Sequence, residues 1–313
     1  MIRLFLIVPF AMLFGSVLAQ QDPICSQYMF NNMAINPGYA GSKDQIAISA
    51  IHRLQWVGQA GAPTTSTFSI HTPFKIGKVN NGIGLTFVND KYAFDNNIGI
   101  SLAYAYRMDV NDGAGKLGIG VSGGFINNSL NATWITTGNA TPAANDPTIP
   151  NQTESTTTLN FDLGLYYQTD KLYFGISSTN LTQPKKNYSK GSPLINRHYY
   201  LTSGYNLPLA NPAFEIQPSV FLATDGASSS LDLNTVVTYN KRVWGGFSYR
   251  LSAAVVGMVG LELINGLRIG YAYDFSTTNL NKYNNGTHEI MMGYNFSIVK
   301  PKVPHRYKSV RFL

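Results

Sequence analysis

The stretch Asn96–Arg107, which has the sequence NNIGISLAYAYR, decides the fold. Large apolar side chains occupy every second position within it: Ile98, Ile100, Leu102, Tyr104 and Tyr106. The positions between them carry small or polar side chains such as Gly99, Ser101 and Ala103. Because successive side chains of a strand point to opposite faces, this period of two predicts a β-strand with one apolar face and one face of small residues.

The same pattern recurs along the chain from residue 45 onward. In Lys116–Asn127, for example, Leu117, Ile119 and Val121 alternate with glycine and serine. The chain carries about fourteen such segments, each of roughly nine to twelve residues, which is enough for a tilted strand to cross a bilayer. Their predicted starts are Ile46, Thr64, Gly82, Asn96, Lys116, Thr157, Lys171, Arg197, Ala213, Ser229, Val243, Ala253, Leu267 and Thr287.

The composition favours a membrane protein built from these strands. Charged residues make up 12% of the 313 residues, about half the usual share of a soluble domain. An open sheet in hydrocarbon would leave unpaired backbone groups at its edges, so the sheet should close on itself. We therefore predict an all-β fold, a transmembrane antiparallel β-barrel of about 14 strands over residues 45–299. A soluble sandwich or solenoid, the alternative, should carry many more charges at outward positions.

The lengths of the connections predict which end of the barrel faces outward. The three longest links are all odd-numbered along the chain: Asn128–Thr156, Asn180–Asn196 and Ser276–Gly286. Three even-numbered links are tight turns: Thr169–Asp170, Lys241–Arg242 and Ile264–Gly266. Outer-membrane barrels have long outer loops and short periplasmic turns, and an even strand count puts both ends of the barrel on one side. The long links are therefore predicted to be outer loops, and both ends of the barrel to be periplasmic.

Residues 1–19 are typical of a cleaved signal peptide. Arg3 supplies the positive start and Leu4–Phe14 the apolar run, and Val17 and Ala19 are the small residues before a cleavage at Gln20. The apolar run is too short for a permanent anchor. A buried N-terminal helix is the alternative interpretation.

Two further segments flank the predicted barrel. Residues 20–44 are rich in aromatic and Asn residues, with a turn signal at Asn36-Pro37-Gly38. This segment is too apolar for a free tail, so we expect it to pack in the barrel's periplasmic mouth or lumen. Residues 300–313 form a basic tail that strand parity places in the periplasm. Pro301 and Pro304 keep this tail extended, and an extended peptide with an apolar end suits capture by a partner; a solvated tail is the alternative.

Ionisable residues within the strands are candidates for the lumen. They are Arg53, Asp90, Asp162, Glu215, Asp232, Arg250, Glu262, Arg268 and Asp274. Structural pairing across the lumen is the favoured interpretation, with a selectivity ring as the alternative.

The sequence predicts no enzyme and identifies no catalytic, cofactor-binding or metal-ligating residue. Its five histidines show no metal-type spacing. Gly118–Gly123 matches the dinucleotide pattern G-x-G-x-x-G, but it lies inside an alternating strand and does not open a helix. The formal net charge is +7, yet the basic residues are scattered outside the tail, so no nucleic-acid partner is expected.

Three blocks resemble the PorP/SprF family of Bacteroidota outer-membrane proteins. The first is Gln27-Tyr28-Met29 followed by Asn36–Gly41, and the second, Arg53-Leu54-Gln55-Trp56, resembles the family's R-x-Q-W first strand. The third, Tyr307–Leu313, is similar to the family's closing tail. The residues that carry the family motif are Gln27, Tyr28, Asn36, Pro37, Gly38, Arg53, Gln55 and Trp56.

The resemblance implies an outer-membrane location and a role without catalysis beside the type IX secretion and gliding machinery. The protein would dock or anchor periplasmic secretion partners, including a peptidoglycan-binding OmpA-like protein, or a secreted surface adhesin. Partner binding is expected from the tail residues Lys302, Arg306, Tyr307, Arg311, Phe312 and Leu313. A general porin or substrate channel is the alternative function.

Overall fold

The structure, a computed structural model, describes residues 22–110, 112–132 and 149–297. The predicted signal peptide, the tail 300–313 and the six tail residues expected to bind a partner lie outside the described residues. The strands are β1 Ile46–Leu54, β2 Thr64–Ile76, β3 Val79–Tyr92, β4 Asp95–Val110, β5 Gly115–Leu130, β6 Glu154–Gln168, β7 Leu172–Thr179, β8 His198–Tyr205, β9 Leu207–Pro208, β10 Phe214–Thr224, β11 Ser229–Tyr239, β12 Val243–Arg250, β13 Ala254–Glu262, β14 Leu267–Ser276 and β15 Thr287–Phe296.

The strands close into an antiparallel β-barrel, as predicted. Each strand pairs with its neighbours in chain order, and β1 pairs with β15 as well as with β2, so no edge remains. The two-residue strand β9 pairs with β10 beside β8, so β8 and β9 together form one interrupted strand of the barrel. The closed sheet therefore has the fourteen strands that the sequence predicts.

The strand starts agree with the predicted ones to within one residue, except for β3 and β6. These two begin three residues earlier than predicted, at Val79 and Glu154. Backbone pairing sets these starts, because Val79 pairs with Ile76 and Glu154 pairs with Leu130, ahead of the residues where the alternating pattern of each strand begins. For the same reason β5 and β6 extend into the first long link, which shrinks to residues 131–153.

The two faces of the sheet are divided as the alternation predicts. In β4, Ile100 and Leu102 are 51% and 55% exposed on the outside, whereas Ala103 and Ala105 are buried on the inside. The outside of the barrel is accordingly a band of large apolar side chains, the surface that a bilayer requires. No helix in the described part of the chain is long and apolar enough to cross a membrane.

The links divide the barrel into two unlike ends. The base is the end where β1 begins at Ile46 and β15 ends at Phe296, and it carries short turns such as 77–78 and 240–242. The loop end carries the long links 55–63, 131–153, 180–197 and 277–286. This division follows the parity that the sequence predicts.

Residues 22–44, which we call the lumen segment, run through the inside of the barrel. Its Asp22 lies beside His198 at the loop end, and its Asp44 lies beside Lys116 at the base. Three short 3-10 helices, Tyr28–Phe30, Asn32–Ala34 and Pro37–Tyr39, shape it. The apolar clusters of the interior form between this segment and the inward faces of the strands, so the segment is the core of the barrel.

Candidate functional site

The lumen segment contacts the barrel wall through hydrogen bonds to a network of ion pairs. The loop-end half of this contact is built around Arg53 of β1. The Nη2 atom of Arg53 lies 2.7 Å from Asp274 Oδ2, and its Nη1 atom lies 3.0 Å from Glu289 Oε2. All three side chains are almost fully buried. Each buried charge therefore depends on the others for its compensation.

A second arginine extends this network along the barrel wall, from β1, β14 and β15 to β11 and β12. Arg250 donates from Nε to Asp232 Oδ1 at 2.9 Å and from Nη2 to Asp232 Oδ2 at 2.8 Å, a two-pronged arrangement. Its Nη1 atom also lies 3.5 Å from Asp274 Oδ2. The network thus holds two arginines and three carboxylates, which leaves one negative charge in excess.

The lumen segment supplies the hydrogen-bond donors that offset this excess charge. The backbone N–H groups of Ser26 and Gln27 donate to the two oxygens of Glu289, each at 2.8 Å. Ser26 Oγ donates to Asp274 at 2.8 Å. Backbone donors that meet a carboxylate are charge-assisted and correspondingly strong. The segment and the ion-pair network therefore stabilise each other.

Tyr28 of the first family block packs inside the lumen. Tyr28 stacks on Phe221 with the ring centroids 4.6 Å apart, and its hydroxyl lies 3.0 Å from Ser219 Oγ. Burial raises the pKa of Tyr28 above its usual range, so the phenol stays protonated and can donate a hydrogen bond. Asn31 Oδ1 accepts a hydrogen bond from Ser69 Oγ at 2.5 Å.

The base half of the segment rests on a cradle of glycines. A Cβ atom on Gly120 would lie 2.3 Å from Gly38 N, and one on Gly164 would lie 2.0 Å from Asn36 Oδ1. Only glycine allows this approach of one backbone to another. The Asn36 side chain is fixed in place, because Oδ1 accepts from Gly38 N at 2.9 Å and Nδ2 donates to Leu165 O at 2.9 Å.

A further glycine contact lies where the segment turns toward β1. A Cβ atom on Gly82 would lie 2.1 Å from Ala40 O. Gly41 adopts a φ of +67°, which favours glycine, and its N–H donates to His71 Nδ1 at 3.2 Å. Two of the three glycines in Gly118–Gly123 thus have a packing explanation, since Gly118 and Gly120 both face the lumen segment.

Of the R-x-Q-W block, only Arg53 and Leu54 belong to the strand. β1 ends at Leu54, so the assignment of Gln55 and Trp56 to the first strand is wrong. Gln55 N donates to Pro63 O at 2.9 Å, and Trp56 N donates to Thr287 Oγ1 at 3.1 Å. Trp56 also has a φ of +51°, which turns the chain away from the sheet. These two residues shape the first loop.

The predicted lumen charges take different partners. Arg53, Asp232, Arg250 and Asp274 belong to the network described above, and Arg268 forms an ion pair with Glu262. Glu215 lies at the base, 3.8 Å from Lys241, and is half exposed. Asp90 and Asp162 accept hydrogen bonds from neutral donors. Sequence reasoning missed Glu289, although its place between the outward-facing His288 and Ile290 of β15 would have put it inside.

The reactivity of Cys25, the only cysteine of the chain, depends on the position of the lumen segment. Cys25 is partly buried beside the ion-pair network. Burial, and then the negative charge of Glu289, raise the pKa of its thiol above the usual range. Because the thiolate is the reactive form, Cys25 should react slowly while the segment stays in place. Within the described ranges, no group of three or more His, Cys, Asp or Glu residues could hold a metal ion.

Two solved structures are similar to this chain. No curated protein matches the chain. Among solved structures, the Acinetobacter baumannii outer membrane protein Omp33 is similar at 10% identity, with 82% of this chain and 100% of that chain covered and a TM-score of 0.47. The Ralstonia pickettii toluene transporter TbuX is similar at 12% identity, with 84% of this chain and 92% of that chain covered and a TM-score of 0.47.

The family model described as type IX secretion system membrane protein PorP/SprF matches residues 17–294. This match includes the lumen segment and every strand up to β15. The chain, a closed barrel of the outer membrane, therefore belongs to the PorP/SprF family of type IX secretion system membrane proteins.

Proposed function

We propose that this type IX secretion barrel is a non-enzymatic docking or anchoring component. Its partners would be periplasmic secretion components, including a peptidoglycan-binding OmpA-like protein, or a secreted surface adhesin. The observation that carries the proposal is the occupied lumen. A diffusion porin needs a water-filled channel, whereas here residues 22–44 contact the wall from the loop end to the base.

The ends of the barrel supply the surfaces that docking needs. β15 ends at the base, so the chain leaves the barrel there toward residues 300–313. These residues combine the positive charges of Lys302, Arg306 and Arg311 with an apolar end, Phe312-Leu313. An extended peptide of this kind suits strand addition or groove capture by a periplasmic protein. The long loops at the opposite end would face the medium and a secreted adhesin.

Removal of residues 300–313 should leave the barrel assembled but release its periplasmic partner. The strand pairings that close the barrel lie within residues 46–296, so its folded mobility on unheated gels should stay unchanged. Affinity purification of the truncated protein from cells, followed by mass spectrometry, measures the partner. Normal recovery of the partner with the truncated protein would contradict the proposed role of the tail.

Two substituted tails separate charge from apolar capture. One variant replaces Lys302, Arg306 and Arg311 by alanine, and the other replaces Tyr307, Phe312 and Leu313 by alanine. The matched control replaces Lys241 and Arg242, which are exposed in a base turn. This control should retain the partner, because it removes positive charge from the base without touching the tail.

A deletion strain should distinguish a core secretion component from a dedicated anchor. Quantitative proteomics of the medium and the cell surface gives the readout. Broad loss of type IX cargo would identify a core component, and loss of one large adhesin alone would identify a dedicated partner. If cargo stays unchanged in both fractions, the docking proposal fails and the general porin becomes the better explanation.

A further inference from the structure

A cavity of about 240 Å³ remains in the loop-end half of the lumen, above the lumen segment. Its walls come from the segment, from strands β1 to β8, from β10 and from the link 180–197. Ligand pockets usually measure on the order of 300–1,000 Å³. The cavity therefore has room for one extended side chain or one small molecule.

Three carboxylates line this cavity, and their described hydrogen-bond partners are mostly neutral donors. Asp90 accepts from Thr65 Oγ1 at 2.6 Å, and Asp162 accepts from Ser122 Oγ at 2.5 Å and from Asn180 N at 3.0 Å. Neither Asp90 nor Asp162 forms an ion pair with a described residue. The third, Asp22, is close enough for its charge to act on both.

The basic side chains in the lining offset these carboxylates only in part, since the charge of Lys186 acts on Asp90 and the Nε2 atom of His198 accepts a hydrogen bond from Asp22 N. Lys186 is buried in the link 180–197, and its Nζ atom reaches Asn97 Oδ1 at 3.5 Å. His198 contacts Asp22, with 3.2 Å between Nδ1 and Oδ2. One lysine and one histidine thus face three carboxylates among the described lining residues, and the lysine forms no ion pair with any of them.

A second, independent feature points to a donor-bearing ligand. Asn160 lines the cavity on the inward face of β6, and its side chain is only 9% exposed. Its Nδ2 atom donates to Asp162 Oδ1 at 2.9 Å, but its Oδ1 atom accepts no hydrogen bond from a described residue. A buried acceptor without a donor is unfavourable, so this atom favours a ligand that brings one.

Part of the remaining wall is apolar, beside polar side chains such as Thr86 and Asn128. The apolar part is formed by Ile24 and Ile35 of the lumen segment, Ile51 of β1, Ile195 and Phe221. A ligand with an alkyl stem and a positively charged, hydrogen-donating head would match both parts of the cavity. We propose that this cavity binds an aliphatic primary ammonium group, supplied by a lysine side chain of a surface polypeptide or by a free alkyl diamine.

Isothermal titration calorimetry on the purified full-length barrel in detergent tests this proposal. Cadaverine is the charged probe, and 1,5-pentanediol is its neutral counterpart with the same carbon chain. We expect cadaverine to bind at least tenfold more tightly than the diol, with an affinity that falls as salt is added. Equal binding of both probes, or no binding of cadaverine, would overturn the proposal.

Peptide probes distinguish the two sources of the ammonium group. Nα-acetyl-lysine amide and its Nε-acetylated form differ only in the charged head. Binding of the first but not the second assigns the cavity to a polypeptide side chain, and binding of cadaverine alone assigns it to a free amine. Binding of a neutral oligosaccharide in place of either amine would refute an ammonium site.

Two isosteric variants locate the binding. Asp162→Asn and Asp90→Asn should each weaken cadaverine binding at least fivefold, whereas Asp170→Asn, an exposed position in a base turn, should leave it unchanged. If Asp162→Asn or Asp90→Asn fails to fold, the comparison of cadaverine with 1,5-pentanediol on the unsubstituted protein still tests the proposal. The proposal does not depend on docking by the tail, because the described residues that line the cavity fall within 22–221.

Discussion

Replacement of Arg53 by methionine should destabilise the folded barrel by about 3 kcal/mol, because it strands two buried carboxylates. Methionine keeps an unbranched stem but removes the guanidinium that lies 2.7 Å from Asp274 and 3.0 Å from Glu289. Asp274 retains Arg250 at 3.5 Å, which keeps the expected loss at the low end for a broken buried pair. Glu289 retains only the hydrogen bonds from the lumen segment.

Urea titration in detergent, followed by the mobility of unheated protein on gels, measures this loss. The matched control is Lys241→Met, which removes an exposed partner 3.8 Å from Glu215 and should change nothing measurable. Adding Glu289→Gln to Arg53→Met should recover part of the stability, since it removes one uncompensated charge. A loss no larger than that of the control would show that the network is not needed for stability.

The same variant should expose Cys25 to a polymer-linked maleimide. The residue next to Cys25 is Ser26, whose hydroxyl accepts a hydrogen bond from Arg53 Nη1 at 2.9 Å. In the native barrel the raised pKa keeps the Cys25 thiol protonated at pH 8. In an unfolded chain, a cysteine with a pKa of about 8.5 is partly thiolate at the same pH. Labelling should therefore be slow in the native protein, rise with pH, and become faster once the segment loosens.

Substitution of Gly120 by valine should open the lumen. Even the Cβ atom would lie 2.3 Å from Gly38 N and from Pro37 C, and both are backbone atoms that no side-chain rotation can move. Overpacking costs about 1–3 kcal/mol in a core that can relax. Here the overlap can be relieved only if the base half of the lumen segment moves away from the wall. Water would then reach the inward faces of β5 and β6.

Single-channel recording in planar bilayers measures that opening. The unsubstituted barrel should show rare or small steps, and Gly120→Val should show large, frequent ones. Gly257→Val is the control, because a Cβ atom on this strand glycine meets nothing within 4 Å. Large steady steps from the unsubstituted protein would count against an occupied lumen, and a silent Gly120→Val variant would show that the segment tolerates the added volume.

Local periodicity was sufficient to predict the barrel. The alternation in Asn96–Arg107 depends only on the geometry of one strand and on which of its faces meets lipid. A strand of this kind can therefore be recognised from its own sequence, without knowledge of the strands that pair with it. The same property explains why the strand starts agree so closely. β3 and β6 deviate because their first residues are specified by backbone pairing, which leaves no mark on side-chain pattern.

The course of the lumen segment was decided only by the tertiary structure. The composition of residues 20–44 predicts that they pack against the barrel, in its mouth or in its lumen, but not that Asp22 lies beside His198 at the loop end. The contacts that place it, such as Ser26 with Glu289 and Gly38 with Gly120, join residues far apart in the chain. These contacts depend on how the closed barrel brings inward-facing residues of different strands next to the lumen segment. Strand periodicity predicts that a residue faces inward, but it does not predict which residue it contacts inside.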